Sequence, residues 1–213
     1  EFPRGNMEMV DTTIGWRFPN KKIIEDHGID SMPQTAENVA QRYNISREAQ
    51  DAFAFQSQQR AKAAVEADKF KEQIIPVTIK DRKGNETIVD KDEHPRPETT
   101  LEKLGTLKPI FPEGTITAGN ASGVNDGASA LLMMSKEKAD ELGLKPLVKY
   151  TFSATAGVEP AVMGLGPIDS TKKLLKKTGR TIADIGLVEL NEAFASQSIE
   201  CINQLGLSDD IVN

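Results

Sequence analysis

Residues 115–130 read TITAGNASGVNDGASA. Gly119, Gly123 and Gly127 stand among Asn120, Ala121, Ser122, Asn125, Asp126, Ala128 and Ser129, with Ile116 and Val124 as the bulky exceptions. Glycine takes positive φ without a Cβ penalty and small residues leave room, so this backbone can come close to something else. An apolar run over 130–134 follows at once, as a strand entering a core would. Two readings stand side by side. One is a tight turn before a buried strand; the other is a substrate-facing loop with Ser122 as a hydrogen-bonding hydroxyl. A second stretch, 186–206, reads GLVELNEAFASQSIECINQLG. Its first five residues have the look of a short buried strand, and Asn191-Glu192-Ala193-Phe194 then opens a helix. An amide at the carboxyl end of a strand lies where open α/β folds keep their chemistry. Asn191 is equally a good helix N-cap.

Around these stretches the chain reads as follows. Residues 11–29 are irregular. Thr35 is a plausible N-cap for a helix over 36–43, and Ser46 caps a long helix from Arg47 to about Asp68. Residues 74–80 and 86–90 flank Asp81-Arg82-Lys83-Gly84-Asn85 as a β-hairpin. A short helix is expected over 100–107. Ser135 caps another that Gly143 ends. Residues 147–156 read as a strand, 158–167 as a Gly/Pro loop, 170–177 as a basic helix stopped by Gly179, 185–190 as a strand and 192–205 as a helix. Strands alternate with helices only after about Thr115, which predicts a parallel-sheet α/β core there and an inserted unit before it.

The motifs GNASGVNDGA (119–128) and ELNEAFA (189–195) together resemble those of the thiolases. AENVA (36–40), SQQRA (57–61), DEHPRP (92–97) and VMGLGP (162–167) fit the same pattern in order and spacing, so the resemblance covers essentially the whole chain. DTTIGWRF (11–18) and DSM (30–32) look most like the branch acting on 3-oxoadipyl-CoA. The resemblance implies an α/β thiolase fold made of two βαβαβαββ halves with a loop domain inserted in the first. On that template 1–114 is the CoA-binding loop domain, 115–143 the end of the N-terminal half and 144–213 the start of the C-terminal half. The chain would then be an internal piece of a longer protein.

The implied chemistry is thiolysis or Claisen condensation of 3-ketoacyl-CoA thioesters, with coenzyme A as a substrate and no covalently bound cofactor or metal. Such an enzyme needs a thiolate to take the acyl group, a proton shuttle and donors for the thioester oxygen. The family's nucleophilic Cys, its Gly-His-Pro histidine and its C-terminal Cys have no match here, so the piece alone is expected to be inactive. Cys201 lies on the 192–205 helix face with Phe194 and Leu205, and reads as a buried structural thiol rather than a nucleophile. Asn191 does match the family asparagine that holds a water at one oxyanion hole. By the same resemblance Ser122 meets the pantetheine arm; Met163, Phe194, Phe111 and Met32 line its tunnel beside Ala121 and Ala193; Arg96 serves the nucleotide end and Gln58 the site's edge. Lys103 stands where relatives carry a serine for CoA, and Ser31-Met32 where many carry a histidine before the methionine. Arg17, between Trp16 and Phe18, is a candidate partner for the free carboxylate of 3-oxoadipyl-CoA.

Hydrophobic residues make up 38% and charged residues 27%, and the net charge is −6. That balance argues against nucleic acid as a partner. No apolar run approaches the ~20 residues of a membrane span. A single cysteine excludes an internal disulfide and suits a reducing compartment. The expectation is therefore a cytoplasmic protein, a homodimer or homotetramer, whose partners are acyl-CoA and CoA. A general acetyl-CoA acetyltransferase, and an inert CoA-binding or scaffolding piece, are the alternatives.

Overall fold

The structure, a computed structural model, describes Gly5 and residues 15–213. Positions 11–14 of the DTTIGWRF stretch lie outside the described residues. Seven α-helices among them are α1 (Lys21–His27), α2 (Met32–Arg42), α3 (Arg47–Glu66), α4 (Leu101–Gly105), α5 (Lys136–Glu141), α6 (Gly166–Thr178) and α7 (Ala195–Leu205). A 3-10 helix, Pro160–Leu165, leads directly into α6, and a second short one spans Ile182–Asp184. The hairpin forms as read, with β1 (Val77–Lys80) antiparallel to β2 (Glu86–Val89) and Val77 opposite Val89.

Local signals set most helix ends. Ser46 Oγ accepts from Ala49 N, and Ser135 Oγ accepts from Lys138 N, at the starts of α3 and α5. Gly179 closes α6 in the left-handed region at φ 66°, where any other residue would carry a Cβ penalty. Four helix starts differ from the sequence reading; α6 begins at Gly166, inside the stretch read as a Gly/Pro loop, rather than at 170. α2 starts a turn earlier: Ser31 caps it with Pro33 in the first turn, while the Thr35 hydroxyl is buried inside the helix and donates to Met32 O. Asn20 caps α1 inside a stretch read as irregular. α7 starts at Ala195 with Phe194 at the cap, so Asn191 is not its N-cap.

α7 is the hub. It packs against α2, α3, α6 and the 3-10 helix. Ala195, Ser196, Gln197, Ser198, Glu200 and Cys201 are buried along it. Its small side chains permit close approach. Ser196 Oγ donates to Ala36 O of α2 at 3.0 Å, and the Gln197 side chain fills the space over Gly164, where an added Cβ would fall 2.7 Å away. The apolar core joins Val39, Ala40, Ile45, Val162, Leu165, Ile168 and Cys201, with Leu190, Ile199 and Leu205 packed on it. At the surface the Arg42 guanidinium forks onto Glu159 at 2.6 and 2.8 Å and holds that carboxyl below the usual range.

The strands read over 130–134 and 147–156 are not strands here. Both segments carry no regular secondary structure and are largely exposed, with Leu131 at 90% and Leu147 at 96% of full exposure. A central strand takes its hydrogen bonds from neighbours on both sides. Among the described residues neither segment has such a neighbour. The 147–156 segment is tethered instead to α6, through Lys173 Nζ donating to Thr155 O and Lys177 lying 5.8 Å from the Phe152 ring centre. The strand read over 185–190 is realised only where a partner exists. Val188 forms a parallel bridge with Val212, and Leu190 N donates to Asn213 O at 3.0 Å.

Glu37 of α2, 2% exposed, accepts from Thr115 N, Thr115 Oγ1 and Ile116 N at 2.8 to 3.1 Å. Replacing a buried acceptor strands several donors, each costing ~1–3 kcal/mol. Glu37→Ala should therefore lower the unfolding free energy by about 3 kcal/mol or more, read as a lower urea midpoint at unchanged slope. A loss under about 0.5 kcal/mol, the size of a neutral surface change, would show that the clamp does not hold the loop.

Candidate functional site

The small-residue loop is positioned from below by buried polar groups. Asn120, 3% exposed, donates from Nδ2 to Asp51 Oδ1 and to Thr115 O, both at 3.1 Å, and accepts from Thr117 N at 2.8 Å. Asp51 is held in turn by Arg47 Nε at 2.7 Å, and the Arg47 guanidinium donates to the Leu104 and Leu107 carbonyls. Gly119 fits here closely: a Cβ would fall 2.5 Å from Leu104 Cδ2, and that buried side chain would have to shift. The loop thus enters the site already fixed to α2, α3 and α4.

It is then stitched to the second motif. Ala121 and Phe194 form an antiparallel bridge, with Ser122 N donating to Ala193 O and Ala195 N to Asn120 O, each at 2.9 Å. Beside this bridge opens a cleft of about 160 Å³. Phe53, Ala54, Ser57 and Gln58 of α3 line one part, His94 another, and Gly119, Asn120, Ala121, Ser122, Glu192 and Ala195 the rest. Ser57 Oγ donates to Glu192 Oε2 at 2.6 Å, a charge-assisted bond that ties α3 to the segment before α7. Gln58 Oε1 accepts from Arg96 N at 2.8 Å.

Of the residues singled out from sequence, Ser122, Ala121 and Gln58 line the cleft. Ala193 and Phe194 hold its edge through the bridge, and Asn191, exposed, precedes Glu192 in the same segment. Arg96 is exposed nearby, its guanidinium turned back onto the carbonyls of Glu93 and Pro95. Lys103 Nζ donates to Glu98 O.

Met163, Met32, Phe111 and Arg17 do not line this cleft. In the 3-10 helix Val162 and Leu165 share the inward face, so Met163 between them turns outward. Met32, at the first position of α2, lies a turn before the buried face begins at Thr35. Phe111 closes the turn to Gly114, whose N–H donates to its carbonyl. Arg17 is exposed, and its aromatic neighbours do not shield it: Phe18 is 95% exposed. Among the described residues nothing excludes water around Arg17, because Trp16, Arg17 and Phe18 precede α1 and lie outside the packed core.

Sequence reasoning passed over Ser57, His94, Asn120 and Glu192. Each sat inside a motif already singled out, within two positions of a residue that was chosen, and that proximity was the available signal. Cys201 is fully buried, accepts from Gln197 Nε2 and donates to Gly164 O, and burial pushes its thiol up from the ordinary value. A buried thiol with a raised pKa lacks the thiolate that nucleophilic chemistry needs.

The arrangement offers a small cleft lined by hydroxyl and amide groups, the His94 ring, the Glu192 carboxylate and apolar side chains. Comparison with known proteins places it in context. A family model described as "Thiolase, N-terminal domain" matches residues 6–137, and one described as "Thiolase, C-terminal domain" matches 144–213. The beta-ketoadipyl-CoA thiolase of Pseudomonas aeruginosa is 55% identical over 98% of this chain and 52% of its own length. The 3-oxoadipyl-CoA/3-oxo-5,6-dehydrosuberyl-CoA thiolase of Escherichia coli K12 is 53% identical over 95% of this chain and 51% of its own. The crystal structure of the Bacillus anthracis acetyl-CoA acetyltransferase superposes with a TM-score of 0.84 at 46% identity, covering 87% of this chain and 47% of that one. The chain spans about half the length of the relatives it matches.

Alkylation tests the reading of Cys201. Iodoacetamide at pH 8 should modify it on the order of a hundredfold more slowly in the folded chain than in urea, because both access and ionisation are suppressed. Equal rates would mean that the thiol is open and available for chemistry.

Proposed function

Because this chain belongs to the thiolase family, we propose that it supplies the coenzyme A cleft of an acyltransferase that cleaves or forms 3-ketoacyl-CoA thioesters, with 3-oxoadipyl-CoA as the substrate. In the cleaving direction the bond between C2 and C3 of the acyl chain breaks. The free CoA thiol ends in the new succinyl-CoA thioester, and C2 takes a proton as acetyl-CoA leaves. The observation that supports this reading most is the Ala121–Phe194 bridge, which sets the loop bearing Ser122 against the segment bearing Asn191 around one cleft.

In this proposal Ser122 and Gln58 meet the pantetheine arm, whose amides need scattered partners. Ala121, Ala193 and Phe194 form the wall beside it, Arg96 receives the nucleotide end, and Asn191 holds the water that stabilises the thioester oxygen. Met32, Met163 and Phe111 would contact CoA beyond the cleft. An amide suits the task given to Asn191: it stays neutral and offers donors as well as an acceptor. Residues 1–114 act as the CoA-binding insertion, 115–143 as the end of one half and 144–213 as the start of the other. A cytoplasmic location and a homo-oligomeric assembly belong to the same reading. Among the described residues no helix is long and apolar enough to cross a membrane.

A general acetyl-CoA acetyltransferase is the second reading, and the exposure of Arg17 favours it. A buried Arg–carboxylate pair would discriminate strongly between acyl chains, whereas an exposed one is worth only ~0.2–1 kcal/mol. In the active protein, Arg17→Ala should therefore raise KM for 3-oxoadipyl-CoA by about twofold to fivefold and leave acetoacetyl-CoA unchanged. Equal changes on both substrates would leave the acetyltransferase reading standing.

Calorimetry and absorbance test the proposal itself. CoA titrated into the 213-residue chain should bind saturably with a dissociation constant of ~1 mM or below, within the usual range of substrate affinities. The same chain, with Cys201 sealed in the core, should not turn over acetoacetyl-CoA and CoA at rates near ~1 per second. The absence of saturable binding would overturn the assignment of the cleft, and turnover at ordinary rates would overturn the inertness of the piece alone.

A further inference from the structure

We propose that His94 is a ligand-binding residue of this cleft, and that it recognises an uncharged amide of the pantetheine arm rather than a phosphate or the acyl carboxylate. The inference rests on the reading of the cleft as a coenzyme A site and adds to it a residue with no role so far.

Three observations place the imidazole at the cleft. Gln58 Oε1 accepts from Arg96 N at 2.8 Å and so pins the 92–97 loop to α3. The Arg96 guanidinium donates to Glu93 O at 2.5 Å and Pro95 O at 3.3 Å, the carbonyls on either side of His94, and fixes the turn that presents the ring. The third is Gly123, whose backbone lies outside the left-handed region. A Cβ there would fall 2.6 Å from both Cε1 and Nδ1 of His94, inside van der Waals contact, so the exposed ring would have to move aside. The imidazole thus lies against the loop immediately after Ser122.

Charge selects the ligand. Glu192 lines the same cleft as a carboxylate bonded to Ser57, so a phosphate or carboxylate entering it would meet an anion. A neutral amide meets no such penalty. Its carbonyl and N–H find the donors and acceptors of Ser57, Gln58, His94 and Ser122. The cleft, at about 160 Å³, also holds a segment of a large ligand rather than all of it.

The test uses the full chain with pantetheine, CoA and adenosine 3′,5′-diphosphate as calorimetric probes. His94 is exposed, so replacing it leaves the packed interior untouched. His94→Ala should weaken pantetheine and CoA by roughly three- to tenfold, the range of one neutral hydrogen bond, and leave the nucleotide fragment unchanged. His94→Gln, which keeps a donor and an acceptor, should recover most of that loss. Gly123→Ala should weaken pantetheine to a similar extent by displacing the ring, and the Gly123→Ala/His94→Ala double variant should be no weaker than His94→Ala alone. Three outcomes overturn the proposal: unchanged pantetheine affinity in His94→Ala, a loss shared equally with the nucleotide fragment, or additive losses in the double variant. A wild-type chain that binds neither CoA nor pantetheine overturns the coenzyme A reading of the cleft and this inference with it.

Discussion

The carboxylate of Glu37 is the group on which the rest of the site depends. It is almost fully buried and takes two backbone N–H groups and a hydroxyl from Thr115 and Ile116. A buried anion is tolerated only when its lone pairs are satisfied. Here they are satisfied by the chain just before the glycine-rich loop, so the demand of the charge fixes where that loop begins. Gly114 belongs to the same constraint, since a Cβ there would fall 2.8 Å from Glu37 Oε2. The next anchor, Asn120 on Asp51, fixes the loop five residues later. Between them the loop has no freedom to drift from α2 and α3, and the cleft needs no ligand to be shaped.

The loop must then meet α7. It does so through backbone atoms, Ser122 N to Ala193 O and Ala195 N to Asn120 O, which demand little of side-chain identity beyond small size. Close approach is also what α7 asks of its other neighbours: alanine and serine pack against α2, and Gln197 against Gly164. A helix that must be buried on several sides while carrying polar residues satisfies them partly within itself and partly on neighbouring backbone, as Ser196 does on Ala36 O. Gln197, Ser198 and Cys201 do this among themselves. That arrangement leaves Cys201 as packing rather than chemistry.

What the sequence made legible divides along the range of the interaction. Ser46, Ser135 and Gly179 act on backbone groups a few residues away, and their capping roles were readable without the fold. The hairpin, whose partner strand is the next segment, was readable for the same reason. The strands over 130–134 and 147–156 were not, because apolar content says that a segment is suited to a sheet and nothing about whether a neighbour is present to pair with it. The thiolase motifs pointed to Ser122, Ala121 and Gln58, and all three line the cleft. Glu37, Asp51, Asn120, Ser57 and Glu192 escaped notice. Each is half of a polar pair separated by some 70 to 135 residues, and such pairs leave no period in the sequence. Helix boundaries shifted where two caps competed: Ser31 and Thr35 both suit the role, and Pro33 decides for the earlier one by favouring the first turn.

The electrostatics of the cleft bear on how selectivity for an acyl chain can arise at all. Arginine reads a carboxylate well when both are taken out of water, and poorly when both remain in it. Arg17 stands in water, and the carboxylate that does line the cleft, Glu192, has the wrong sign to welcome an anionic acyl terminus. Under the proposed coenzyme A reading, the cleft takes the part of the ligand that every acyl-CoA shares, through Ser122, Gln58 and the edge held by Phe194. On that reading, discrimination between a 3-oxoadipyl and an acetoacetyl chain comes from surfaces outside it. The shared arm and the variable chain make opposite demands, since the first needs neutral hydrogen-bonding groups in fixed places and the second needs a desolvated cation for one substrate only. A single cleft of about 160 Å³ that contains a carboxylate suits the first demand better than the second.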